Sequence, residues 1–173
     1  MTELDLAARI ARLEAIEAIK QLKARYFEHC DRNYEYEAIT ALFARDGGFE
    51  AGKFGSHQGR DQVRAFFSTI SGQLVFAAHF GMNPIIDVED ADHATGRWRL
   101  LEPTATPVDG KKEAFWLVGA YYDRYIRVGG MWLFQWMSFI STSTNRIAVV
   151  GPKRPFPEFR SGGVVPCRDT RAL

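Results

Sequence analysis

Val75-Phe-Ala-Ala-His79-Phe-Gly-Met-Asn83-Pro-Ile-Ile-Asp-Val88 is the stretch on which the fold turns. It is rich in β-branched and aromatic residues, which predicts one long strand over residues 75–88. Side chains alternate along a strand, so Val75, Ala77, His79, Gly81, Asn83 and Ile85 share one face. Phe76, Phe80 and Met82 take the opposite face, where they are expected to pack against something large. His79 has only the small residues Ala77 and Gly81 beside it, which leaves open space in front of the imidazole, as a pocket wall would. A core histidine bonded to a neighbour is the plainer reading of the same pattern.

Working outward, the residues before this stretch read as helical and those after it as strands. Leu6, Ile10, Leu13, Ile16, Ile19, Leu22, Tyr26 and Cys30 recur at steps of three and four. That spacing predicts a helix, opened by a Thr2/Asp5 capping pair and ending near Cys30. Its other face, with Arg12, Glu14, Glu17, Lys20 and Lys23, is expected to be solvated. A short helix over residues 35–43 follows, then a turn at Asp46-Gly47-Gly48, a brief strand over 49–51 and a loop over 53–58. A third helix opens at Gly59-Arg60-Asp61, buries Val63, Phe66, Phe67 and Ile70, and ends at Ser71-Gly72. After residues 75–88, strands are expected over 93–102, 113–127 and 131–144, with a loop over 103–112. Three helices followed by an antiparallel meander form an α+β domain over residues 1–144. Residues 145–173 are rich in proline and glycine and are expected to be a disordered tail or an arm packed on a neighbouring subunit.

Composition narrows the function classes. A net charge of +1 gives no footprint for nucleic acid. No apolar run approaches the length of a membrane span. Residues 1–10 lack a signal-peptide pattern, so a cytoplasmic protein is expected. Cys30 and Cys167 cannot build a disulfide framework. Thirteen Phe, six Tyr and four Trp suffice both to fill a core and to line a pocket for a flat hydrophobic ligand. His29, His57 and His93 show no ligand spacing, so no metal is expected. Gly129-Gly130 reads as a hairpin turn, not a phosphate loop.

Tyr26, Asp31 and His79 are the candidates for chemistry. Asp31 sits where the first helix ends, and a carboxylate there opposes the helix dipole and asks for a compensating partner. An imidazole would serve, and a His–Asp pair makes a general base. Tyr26 could hydrogen-bond a carbonyl or protonate a leaving oxygen. A core tyrosine and a turn-capping aspartate are the plainer readings of the two.

The segments Ala24-Arg-Tyr26-Phe-Glu-His-Cys-Asp31, Leu42-Phe43-Ala-Arg-Asp46, Gly59-Arg-Asp61, His79-Phe-Gly-Met-Asn83 and Gly119-Ala-Tyr121-Tyr-Asp123 together resemble the SnoaL-like branch of the nuclear-transport-factor-2-like superfamily. The resemblance implies a cone-shaped α+β barrel holding a hydrophobic cavity. Within the family the chain is similar to scytalone dehydratase, bile-acid 7α-dehydratase and lindane dehydrochlorinase. It implies His79 and Asp31 as a catalytic dyad, Tyr26 as the assisting group, no cofactor, and elimination from a small cyclic or polycyclic substrate. Isomerase, cyclase and non-catalytic accessory members of the superfamily remain alternatives. Strand parity and the resemblance send Phe27, Trp98, Leu100, Leu117, Tyr121, Phe139 and Ser141 to the cavity. Glu102, on the same face as Trp98, is either a buried acid or a residue of the mouth. Relatives carry an arginine near Met137, whereas nothing basic occurs over residues 131–144. Trp116, Tyr122, Trp132, Phe134 and Trp136 are expected on the outer wall, which implies a homo-oligomer, with a trimer favoured as in the resembling dehydratases.

Overall fold

A computed structural model describes residues 3–146; the expected arm over 145–173 therefore lies, beyond its first two residues, outside the described residues. Helix α1 spans Glu3–Asp31, α2 Tyr36–Ala41 and α3 Arg60–Ile70. The strands are β1 Phe43–Glu50, β2 Ser56–Gln58, β3 Phe76–Ala77, β4 Phe80–Val88, β5 His93–Val108, β6 Lys111–Val128 and β7 Met131–Arg146. They form one sheet in the order β2-β1-β7-β6-β5-β3, with β4 also paired to β5. All pairings are antiparallel except β1 with β7. The sheet curls around the apolar side of α1 without closing, and Ile19, Leu22, Tyr26, Phe67, Leu100, Tyr125 and Phe134 meet in the core. Among the described residues no helix is long and apolar enough to cross a membrane.

Several local expectations change. Residues 75–88 are not one strand. β3 ends at Ala77 and β4 begins at Phe80, so His79 stands in a break of the ladder, and the register shifts again between Met82 and Ile85. Phe76, Phe80 and Met82 are exposed instead of packed. The space beside Gly81 is filled: a Cβ there would lie 2.0 Å from Cε2 of Phe27. The expected loop over 103–112 is instead the continuation of β5 and β6 around a turn at Asp109-Gly110, both at positive φ. Pro103 is tolerated because it faces the gap between β3 and β4, where Ala78 N–H donates to its carbonyl. The expected turn at Gly47-Gly48 lies inside β1. Side chains there would strike the Phe134 carbonyl and the Trp136 ring, so the glycines admit β7 alongside. Two irregularities in the β6–β7 register, at Val118/Gly119 and Arg124/Tyr125, reverse strand parity. Trp132 and Phe134 consequently turn into the core, while Trp116 and Tyr122 stay outside.

Candidate functional site

Helix α1 ends on an unusual turn. Asn33 and Tyr34 both have positive φ, 58° and 51°, a conformation costly for a tyrosine. The turn is pinned to the end of α3, where Ser71 Oγ donates to the Asn33 carbonyl and Gly72 N–H donates to Asn33 Oδ1. Asp31 is the last residue of α1, and beyond the turn Tyr34 stacks on Phe67 and reaches His79.

His79 lies opposite. Because it stands in the ladder break, its backbone N–H needs a partner, and Asp31 Oδ1 accepts it at 2.9 Å. The same oxygen lies 2.7 Å from Nδ1 of the ring. An ionised carboxylate only accepts, so this contact holds the proton on Nδ1 and leaves Nε2 as the ring's acceptor. The His79 side chain is 3% exposed, and Asp31, on the outer side, is far more open. Phe27 stacks on the imidazole at 5.7 Å between centroids, and Tyr34 meets it edge-on at 5.9 Å.

Nε2 faces an apolar cavity of about 370 Å³. Tyr26, Tyr34, Tyr121, Phe49, Phe66, Phe67, Leu117 and Phe139 form much of its wall, and Glu102 and Thr104 add polar atoms. A second space of about 560 Å³ shares Phe54, Thr104, Thr106, Leu117 and Phe139 with it and is lined by Ser141. Tyr34 Oη and Glu102 Oε2 each lie 3.4 Å from Nε2. Burial pushes the Glu102 carboxyl up; His79 pulls it down when the ring is protonated, and Asp31 pushes it up again. Burial also holds the Tyr26, Tyr34 and Tyr121 hydroxyls well above the usual phenol range, so all three are neutral donors.

The expected residues are thus distributed over three places. His79, Tyr26, Leu117, Tyr121 and Phe139 line the cavity, and Ser141 lines the adjoining space. Asp31 reaches His79 from outside the cavity. Phe27, Trp98 and Leu100 do not line it. Phe27 backs the imidazole, Leu100 is fully packed in the core, and Trp98 turns inward to donate from Nε1 to Tyr125 Oη at 2.9 Å. Met137, where relatives were expected to carry arginine, is also core.

Two groups escaped the sequence reading. Tyr34 depends on its left-handed backbone, for which no local signal exists. Lys23 was expected in solvent, yet it is 0% exposed. Its Nζ donates to Asp123 Oδ2 at 2.9 Å and sits 3.5 Å from the Tyr121 ring centroid, behind the cavity wall. Tyr125 Oη donates to the same carboxylate oxygen at 2.8 Å. Burial pushes the Lys23 amine down and the Asp123 carboxyl up, each partly offset by the other's charge. The signal was its spacing: Lys23 falls four residues after Ile19 and three before Tyr26, on the apolar stripe.

Three helices against a curled sheet, with polar groups converging on one apolar cavity, define an NTF2-like α+β cone. A profile of the SnoaL-like domain family matches residues 11–138, and the chain belongs to that family. Solved structures repeat the architecture. A protein provisionally assigned as a scytalone dehydratase from Novosphingobium aromaticivorans superposes with a TM-score of 0.72 at 24% identity, over 82% of this chain and 93% of that one. A type 2 hexachlorocyclohexane dehydrochlorinase, LinA, gives 0.76 at 18% identity, over 85% and 98%. The type 3 LinA of Novosphingobium barchaimii gives 0.75 at 18%, over 85% and 99%. At these identities the likeness is one of fold.

Proposed function

We propose that the protein is a cofactor-independent lyase acting by dehydratase-like elimination on a small hydrophobic cyclic or polycyclic substrate. The observation that supports this most is the His79 ring, with Nδ1 on Asp31 and Nε2 facing an apolar cavity. His79 takes a proton made acidic by a neighbouring carbonyl. Asp31 keeps the tautomer and stabilises the imidazolium that forms. Tyr26, a neutral phenol in the cavity wall, is the candidate to bind the carbonyl or assist the leaving oxygen. The family resemblance supports the same chemistry. An isomerase or cyclase would share the proton abstraction and differ only in the fate of the carbanion. The cavity is open space lined by aromatic rings, which favours substrate binding over a purely accessory role.

The reading extends to a homo-oligomer, a trimer by resemblance. Phe80, Met82, Trp116, Tyr122 and Ile140 are exposed, a large apolar surface for a lone chain.

The test is loss of water from a panel of cyclic β-hydroxy ketones. Asp31→Asn is expected to lose about a hundredfold in rate, the weight of one group acting on developing charge. Tyr26→Phe keeps the ring packing and isolates the hydroxyl. Full activity in His79→Ala, Asp31→Asn and Tyr26→Phe alike would leave a binding or accessory protein as the better reading.

A further inference from the structure

We infer that Glu102 is a neutral carboxylic acid that protonates the departing hydroxyl, help that an oxygen leaving group needs and a halide does not; this rests on the general-base reading of His79. The geometry carries it. Glu102 is 5% exposed, on the inward face of β5, with Oε2 3.4 Å from His79 Nε2. Nδ1 is committed to Asp31, so Nε2 is the ring atom that meets Oε2, and a proton held at this contact has two places to sit. The proton can sit on nitrogen, giving a buried imidazolium between two carboxylates, or on oxygen, giving a neutral pair beside one charged aspartate. The groups that act on Glu102 are His79, Asp31, Cys30, Tyr34 and Tyr121, with Thr104 hydrogen-bonded to it, and among the described residues no Lys or Arg side chain lines the cavity to hold a carboxylate. Burial pushes the carboxyl up, against the pull of a protonated His79 and of the Thr104 hydrogen bond, and that is the direction of the neutral pair.

That pair is a complete acid–base couple. His79 Nε2 takes the proton α to the carbonyl, and the electrons of the C–H bond form the new double bond. The C–O bond breaks with its electrons on oxygen. That oxygen takes the proton of Glu102 and leaves as water. The imidazolium and carboxylate that remain are 3.4 Å apart, and the proton returns from Nε2 to Oε2, restoring the starting state without an outside donor. The abstracted proton and the hydroxyl must lie on one face of the substrate, because acid and base are neighbours. A chloride leaves as a stable anion and has no use for the acid.

The test pairs two probes of one skeleton, 3-hydroxycyclohexanone and 3-chlorocyclohexanone, in wild-type protein, Glu102→Gln and Glu102→Asp. Elimination and exchange of the α-proton in deuterium oxide are followed together, above the uncatalysed background. Glu102→Gln is expected to lose about a hundredfold in elimination of the hydroxy probe, within a fewfold of wild type on the chloro probe and in exchange. Glu102→Asp, which keeps an acid on a shorter arm, is expected to recover part of the loss. Without any substrate, the wild-type minus Glu102→Gln infrared difference spectrum at neutral pH is expected to show the carbonyl band of a protonated carboxylic acid. Equal losses on both probes, or no such band, overturn the inference and leave the general-base reading standing. A wild-type protein that neither exchanges nor eliminates overturns both.

Discussion

Replacing Lys23 with Met probes the buried ion pair behind the cavity. Lys23 Nζ and Asp123 Oδ2 are 2.9 Å apart with no exposure on either side chain. At an effective dielectric of about 20 their attraction is about 6 kcal/mol, offset by desolvation of several kcal/mol per ion. The intact pair is therefore close to neutral for stability. Removing the amine strands the carboxylate: Tyr125 still donates to Oδ2, but Oδ1 is buried without a hydrogen-bond partner. Lys23→Met is expected to lose about 3–5 kcal/mol at neutral pH. For a chain of this size that is a fall of roughly 6–20 °C in melting temperature. The pH dependence has a definite sign. The folded-state Asp123 carboxyl is already raised by burial, and losing Lys23 raises it further. A raised acid contributes stability below its unfolded pKa that is lost as pH rises through the folded one. The deficit should therefore be larger at high pH and shrink as the pH falls toward the ordinary aspartate range. Lys23→Met with Asp123→Asn should recover most of it. Thermal and urea melts of the three variants across pH measure this; a Lys23→Met cost under about 1 kcal/mol at neutral pH, or one independent of pH, would refute the reasoning.

Other outcomes follow from single contacts. Gly81→Ala puts a Cβ into the Phe27 ring and should lose about 1–3 kcal/mol in urea melts while lowering turnover, because Phe27 must leave its stacked place on His79. If Glu102 acts as a neutral acid, elimination from a hydroxy substrate should fall as pH rises through its raised pKa, and the alkaline limb should be absent in Glu102→Gln. Sedimentation should find a homo-oligomer, and charged substitutions at Phe80 and Trp116 together should release monomers; a wild-type monomer at working concentration would contradict the assembly proposed from those exposed rings.

The helices and the sheet's class were legible because their signals are local. The three-and-four spacing from Ile16 to Cys30 needs no partner to be read, nor does the turn chemistry at Gly129-Gly130. What escaped depends on neighbours distant in sequence. Gly47 and Gly48 look like a turn until β7 is seen pressed against them. Gly81 looks like open space until Phe27 fills it. One residue skipped in the β6–β7 register reverses the faces of Trp132 and Phe134, and no single strand records that slip. Pro103 and Pro107 read as loop because the missing partner that tolerates Pro103 belongs to another strand. The proximity of His79 and Asp31 was anticipated through the family resemblance more than through spacing, whereas the part of Tyr34 was hidden in a backbone angle. Lys23 was assigned by charge when its position on the helix stripe pointed inward.

The central claim is that His79 Nε2 removes a proton. Its most direct measurement is the rate at which the protein exchanges the α-protons of a cyclic ketone with deuterium oxide, followed by NMR in wild type and His79→Gln. The wild-type protein should accelerate exchange well above buffer, and His79→Gln should return it to the background, with the two proteins equally folded by circular dichroism. Equal exchange by both would contradict the account.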